Sequence, residues 1–340
     1  MLKVHQPVCV IEGAIILAGD VIITESVSSS LGRDEFLFQD SLQDMLRNDT
    51  FFGNFEGAII EKHNSSYVDN PKRFLFHAAP ATLSFFKTHF GTCIFSFANN
   101  HCFDYGVSGL EETIKNLKQA SIAGIGLGRN KHEAVAPYVV ALRKLNVAFV
   151  ALTDLLPEVA YASPNQPGAA QLTKETLVSA IQDARSVADI VIVSLHTIAD
   201  LSQAFSFWPD YHQTAMARLA IDCGADIVVG HQPHGLQLIE RYRNKIIFHS
   251  LGAFIYDPAL SSTFPPSHRL WPATQIYGGG LVRLSFCQRG LHDYSVIPTN
   301  ITGAGIKLAL VTGSRYRQFL AKAMKAYASG GLLFHSSLGV

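Results

Sequence analysis

Charge is scarce in this chain. Asp, Glu, Lys and Arg make up 16% of its 340 residues, against the usual quarter. The 27 basic and 27 acidic residues cancel, so there is no basic field to hold nucleic acid by releasing its counterions. Disorder and coiled coil, which need a more polar or more repetitive chain, are excluded on the same ground. Cysteine is also sparse. The five, Cys9, Cys93, Cys102, Cys223 and Cys287, are odd in number, far apart and without a C-x-x-C. That spacing argues against a disulfide scaffold and a thiolate zinc site, and predicts thiols that pack as small core residues. No uninterrupted apolar run reaches membrane-spanning length, and residues 1–12 lack the apolar stretch of a signal peptide. The expectation is a soluble, cytoplasmic protein with no integral membrane segment and no nucleic-acid partner. Internal repeats and low-complexity tracts are absent too.

What the chain has in quantity is apolar side chains, 48% of the total, enough for a substantial core. They fall into short β-branched and aromatic runs that alternate with helical patterns. Strands are predicted at Ala14–Ala18, Thr92–Phe97, Val147–Leu152, Asp189–Leu195, Asp226–Val229, Ile246–Ser250 and Leu281–Cys287. Helices are predicted at Asp34–Leu46, Ala81–His89, Ser108–Ala120, Leu177–Val187 and Tyr211–Cys223, the last closing at Gly224. Ser108 reads as an N-cap, with Glu111 and Glu112 in the first turn. Alternation of this kind predicts an α/β sheet with helices on its faces. The expected organisation is a single domain over 1–340, with a core at about 14–300 and a C-terminal amphipathic helix at about 312–328. Two Pro-, Ser- and Gly-rich stretches, Leu155–Gly168 and Asp257–Gly280, read as binding loops or lids.

The fourteen histidines are informative through their positions. Asp20, Glu56, Asn100, His101, His196, His231 and His234 each follow a predicted strand closely. The carboxyl ends of strands in an open α/β sheet form the crevice where ligands bind. Carboxylate, amide oxygen and imidazole gathered there suit Mn, Zn or Fe, as one ion or as two about 3.5–4 Å apart. Singly, each has a plainer reading: Gly19-Asp20 as a turn, Glu56 as a solvated acid, His196 as a buried and satisfied imidazole. The segments Asn99-Asn100-His101-Cys102-Phe103-Asp104 and Gly230-His231-Gln232-Pro233-His234 are more telling. Adjacent amides and imidazoles are costly to bury without partners, and Asp104 is close enough in sequence to orient His101.

In this order and spacing the segments resemble the CapA (poly-γ-glutamate capsule biosynthesis) family, a branch of the calcineurin-like metallophosphoesterase superfamily. The resemblance runs from about Ile15 to Asp257. It is carried by Leu17 to Asp20, Gly53 to Gly57, Phe74 to Pro80, Ala98 to Gly106, Gly124 to Asn130, Gly224 to His234 and Lys245 to Phe254. It implies a four-layer αββα sandwich with its metal site at the strand carboxyl ends, and one or two divalent ions. Asp20 would hold one ion, Glu56 would bridge, and Asn100 and His196 would hold the second, with His231 and His234 completing the set. His101 would protonate the leaving group, oriented by Asp104. The implied activity is hydrolysis of phosphoester or γ-glutamyl amide bonds in capsule-type polymer metabolism; the alternative is a non-catalytic role in polymer assembly, export or binding. An anionic small-molecule or polymer substrate is implied, with Arg73 and Arg129 as candidate anion-binding residues, and polymer-synthesis proteins as partners. The chain departs from the pattern at several points. Ile22 stands where the wider superfamily has His, and Glu56 replaces the usual bridging Asp. Thr197 to Asp200 replace the branch's Trp-Gly and Glu, Gln232 stands where His is common, and Ala253 stands in place of Asn.

Overall fold

A computed structural model of the protein describes residues 9–32, 40–61, 74–199, 208–257, 278–302 and 307–310. The first half of the chain runs β1 (Ile11–Ile22), α1 (Glu25–Gly32), α2 (Asp40–Asn48), β2 (Thr50–Glu56), β3 (Ala58–Ile59), β4 (His77–Ala78), α3 (Thr82–His89), β5 (Cys93–Ser96), α4 (Gly106–Ala120), β6 (Ala123–Ile125), β7 (Leu127–Gly128) and α5 (Lys131–Val135). There follow β8 (Tyr138–Leu142), β9 (Leu145–Thr153), β10 (Gly168–Ala169), α6 (Lys174–Val187), β11 (Ile190–His196), α7 (Tyr211–Asp222), β12 (Ile227–His231), β13 (Ile239–Tyr242) and β14 (Lys245–Phe248). The last described strands are β15 (Ala253–Ile255), β16 (Gly278–Cys287), β17 (Gly290–Thr302) and β18 (Lys307–Leu310).

Among the described residues the strands form two large sheets. One has eight strands in the order β18-β17-β16-β1-β2-β5-β6, with β15 also pairing β1, and the other has six in the order β13-β14-β12-β11-β9-β8. The central pairs β1–β2, β2–β5, β9–β11 and β11–β12 are parallel, so their carboxyl ends lie together.

The period-2 alternation of the strands sorts their side chains into layers. On β1, Ile15 and Leu17 face one cluster and Ile16 and Ala18 another. On β9, Val147, Phe149 and Ala151 join the cluster holding Ile15 and Leu17, while Ala148, Val150 and Leu152 join a third. The shared cluster is the seam between the two sheets, where Phe52 of β2 stacks on Phe149 of β9 at 5.1 Å between ring centroids. The outer face of the six-stranded sheet is covered by α6, whose Leu177, Ala180, Ile181 and Ala184 make one apolar stripe at helical spacing, and by α7. Helices α1 to α4 contribute to the outer cluster of the larger sheet. The result is the expected four-layer αββα sandwich.

Three local expectations are corrected. Helix α4 begins at Gly106 after Tyr105, so Ser108 lies inside the helix and caps nothing, and its first turn carries no acid. Gly106 adopts φ 62°, a left-handed conformation that glycine permits at low cost and that starts the helix two residues early. The cysteines are not all free thiols: Cys9 and Cys287 form a disulfide across a separation of 278 residues. Sequence distance hides the pair, but β1 and β16 are antiparallel with Ile11 opposite Cys287, which brings Cys9 to within 6.0 Å of it, Cα to Cα. The candidate ligands, finally, are mostly the last residues of longer strands and do not follow them: β1 runs through Asp20 to Ile22, β2 ends on Glu56, β11 on His196 and β12 on His231. Of the remaining expectations, the C-terminal helix, Arg73 and most of the loop Asp257–Gly280 lie outside the described residues. No helix of the described residues is long and apolar enough to cross a membrane.

Candidate metal centre

The layer rule that builds the core also builds the site. The inward positions of β2 are Phe52, Asn54 and Glu56; those of β11 are Ile190, Ile192, Ser194 and His196; those of β12 are Ile227, Val229 and His231. Each strand thus points apolar side chains into the seam at its amino end and one or two polar ones at its carboxyl end. A register irregularity between Leu17 and Asp20 separates Asp20 from the plain alternation of β1 and sets it opposite Asn54 of β2. His196 lies in register with both His231 and Thr153. Two glycines make the approach possible. Cβ atoms at Gly19 and Gly230 would fall 1.9 Å from the Gly252 carbonyl oxygen and 2.0 Å from that of His249, so no side chain fits beside Asp20 or before His231.

The six candidate ligands come together in one network. Asp20, Glu56, His196 and His231 are buried. His231 Nδ1 lies 3.2 Å from Asp20 Oδ1, and His234 Nδ1 lies 2.8 Å from Asp20 Oδ2. His234 Nδ1 is also 4.0 Å from Glu56 Oε1, and His196 Nδ1 is 3.9 Å from the same oxygen. His196 Nε2 faces Asn100 Oδ1 at 2.9 Å. Ligand atoms of Asp20, Glu56 and His234 all fall within 4.8 Å of one another.

Electrostatics follow from burial. Removal from water pushes the Asp20 carboxyl up, but its hydrogen bonds and charge attraction with His231 and His234 outweigh this and hold it well below the usual carboxylate range. Burial pushes the His196 imidazole down to about 3, so it is neutral at physiological pH. Burial pulls His234 the same way, yet Glu56 and Asp20 prevail and raise it to about 9. Two carboxyl groups, Asp20 and Glu56, are thus held in the protein interior beside one imidazole raised toward its charged form, His234, and one held neutral, His196. Burying such charge is expensive unless it is paired or coordinates a metal.

A metal ion fits these residues. The donors are carboxylate oxygens and imidazole nitrogens, the set that suits Mn, Zn and Fe. His231 gives its Nδ1 side to Asp20, while its buried Nε2 has no hydrogen-bond partner among the described residues. An imidazole anchored to a carboxylate through one nitrogen and presenting the other is the usual posture of a metal-ligating histidine.

The second constellation sits beside it. His101 Nδ1 is 2.7 Å from Asp104 Oδ2, which also accepts the Phe76 backbone N–H at 2.9 Å. The His101 ring packs on Phe76 with centroids 4.2 Å apart. Asn99 Oδ1 accepts the His101 backbone N–H, and Asn99 Nδ2 donates to Asn54 Oδ1 and to the Phe55 carbonyl, which ties the His101 turn to β2. The Arg129 side chain is exposed, and its backbone N–H donates to Glu133 Oε2 at the start of α5.

Two residues were not among the expected ligands. Asn54 is the hub: its Nδ2 lies 2.8 Å from Asp20 Oδ1, 3.2 Å from Glu56 Oε1 and 3.1 Å from His196 Nδ1. Its place two residues before Glu56 on a strand puts both side chains on one face, and that parity is the signal that marks it. Gln232 turns its Oε1 to within 2.6 Å of His196 Nε2.

The chain resembles known proteins over most of its length. Residues 14–258, which carry every residue of the network, match the family model "Bacterial capsule synthesis protein PGA_cap". The chain is 28% identical over 291 residues to the capsule biosynthesis protein CapA of Bacillus anthracis, covering 84% of this chain and 66% of that one. It is 31% identical over 251 residues to the PGA biosynthesis protein CapA of Bacillus subtilis (strain 168), covering 72% and 63% respectively. The matches therefore span just under two thirds of those relatives' own lengths. Among solved structures, a 5'-nucleotidase precursor from Thermus thermophilus aligns over 93% of this chain and 58% of that one, with a TM-score of 0.47 and 12% identity. On the family match, which takes in the whole polar cluster, the chain belongs to the bacterial capsule synthesis protein PGA_cap family.

Proposed function

We propose that the chain is a metal-dependent hydrolase of phosphoester or γ-glutamyl amide bonds, acting in capsule-type poly-γ-glutamate metabolism. The observation that carries the reading is the pair of buried carboxylates, Asp20 and Glu56, set among His196, His231 and His234 at the strand carboxyl ends with the His101–Asp104 pair beside them. Asp20, Glu56, His231 and His234 would hold the ion, and Asn100 and His196 would offer further donors. A bound divalent ion supplies Lewis acidity toward the scissile group and lowers the pKa of a coordinated water.

The chain's own residues do the rest. Asp104 accepts from His101 Nδ1, which fixes the tautomer and leaves Nε2 as the nitrogen that delivers a proton to the departing oxygen or nitrogen. The Phe76 N–H holds Asp104 in place from its other side, and the Phe76 ring limits the His101 ring to one orientation. Asn54 orients Asp20 and Glu56 together through one amide group.

A second reading, a binding or assembly protein without turnover, is favoured by the carboxamide of Gln232 on His196, a weaker donor than imidazole. Turnover of generic phosphoesters and γ-glutamyl peptides with Mn, Zn or Fe added separates the two. His101→Ala is expected to lower turnover at least about 100-fold while leaving bound metal in place. Unchanged turnover in His101→Ala contradicts the acid role. No turnover by the metal-loaded wild type on either substrate class favours the second reading.

A further inference from the structure

The two sides of the cluster differ in charge. On the Asp20 side, two buried carboxylates and an imidazole gather their ligand atoms within 4.8 Å. On the His196 side, the ring turns Nδ1 to Asn54 Nδ2 at 3.1 Å and Nε2 the other way. That nitrogen meets two carboxamide oxygens, Asn100 Oδ1 at 2.9 Å and Gln232 Oε1 at 2.6 Å. Glu56 Oε1 lies 3.9 Å from the other ring nitrogen, Nδ1. The two carboxamide oxygens at Nε2 carry no formal charge.

The backbone holds Gln232 to this task. Its φ is 99° and that of His234 is 53°, on either side of Pro233. Non-glycine residues in that region are strained and persist only where their surroundings hold them. Gln232 is 6% exposed, so its amide is committed to His196 and not to water.

Affinity for a hard or borderline divalent cation follows the charge of its donors, because anionic oxygens must offset the loss of the ion's hydration shell. We propose that this chain holds one divalent ion tightly, at Asp20, Glu56, His231 and His234, and that Asn100, Gln232 and His196 form a neutral amide–imidazole site where a second ion binds at least roughly 100-fold more weakly. The inference rests on the reading of the cluster as a metal centre. Gln232 is then the residue that sets metal number, and Gln232→Glu, which keeps the shape and adds one negative charge, supplies what the second site lacks.

The test is equilibrium dialysis of the full chain against micromolar Mn2+, with bound metal counted by mass spectrometry and read by electron paramagnetic resonance. Wild type is expected to hold one ion per chain with the spectrum of an isolated Mn2+. Gln232→Glu is expected to hold two, with the spectrum of a coupled pair. Two ions in the wild type overturn the proposal. One ion in both proteins overturns the role given to Gln232. No ion in either sinks the underlying metal-centre reading instead, so the two failures are distinguishable. Should Gln232→Glu fail to fold, the wild-type count and its spectrum decide.

Discussion

Glu240 shows how this protein treats a buried acid away from the site. It is 5% exposed and sits between Arg218, whose Nε lies 2.7 Å from Oε1, and His249, whose Nε2 lies 2.9 Å from Oε2. Burial pushes its carboxyl up, but hydrogen bonds from His249 and Arg218 outweigh this and hold it below the ordinary glutamate range. A folded-state value lower than the unfolded one means stability that is present above the unfolded value and is lost as pH falls through the folded one. The melting temperature is therefore expected to fall on acidification below the ordinary glutamate range, and Glu240→Gln to flatten that part of the profile. An unchanged acid limb in the variant contradicts the assignment. At the candidate site the legible residues were the ones whose chemistry is narrow. Aspartate, glutamate and histidine at strand ends have few plain structural uses, so Asp20, Glu56, His196, His231 and His234 stood out. Asn54 and Gln232 did not, because amides serve turns, caps and loops as readily as they serve ligands. Only the strand parity of Asn54 and the backbone turn at Gln232 reveal where those amides point.

Elements were legible where a period was strong. The short, near-continuous apolar runs of β9 and β11 read as strands buried on both faces, the stripe on α6 reads as a helix, and α7 starts where the sequence places it, with Asp210 and Gln213 forming a reciprocal capping box. Legibility failed where one residue of special backbone conformation decided a boundary, as at Gly106, and where a contact joined distant parts of the chain. The Cys9–Cys287 disulfide is the main example, since it depends on the antiparallel pairing of β1 with β16. Titration of the unfolded, unreduced protein is expected to find three thiols, Cys93, Cys102 and Cys223, and five after reduction. Reduction is expected to lower stability by about 2–4 kcal/mol, because the bridge closes a long loop of the unfolded chain. Five thiols before reduction contradict the pairing.

At the scale of the molecule, the site is a property of the seam between the sheets. Asp20, Asn54, Glu56 and Asn100 come from the larger sheet and the turn after it, and His196, His231 and His234 from the smaller sheet and its loop. Neither sheet alone collects both carboxylates and all three imidazoles, so the cluster exists only when the Phe52–Phe149 seam is closed. An α/β sheet with helices on its faces was foreseeable from the strand–helix alternation, and the family resemblance supplied the second sheet and the four layers. The charge balance was not foreseeable, because it depends on which faces of separate strands meet.

The central claim is that the space among Asp20, Glu56 and His234 is a cation site. The most direct measurement is an anomalous difference map from crystals grown with Mn2+ and collected at two energies spanning the manganese edge. A peak bounded by Asp20, Glu56 and His234 that disappears below the edge is the predicted result. A map without a manganese peak there, with His234 still bonded to Asp20 at saturating Mn2+, would contradict the account.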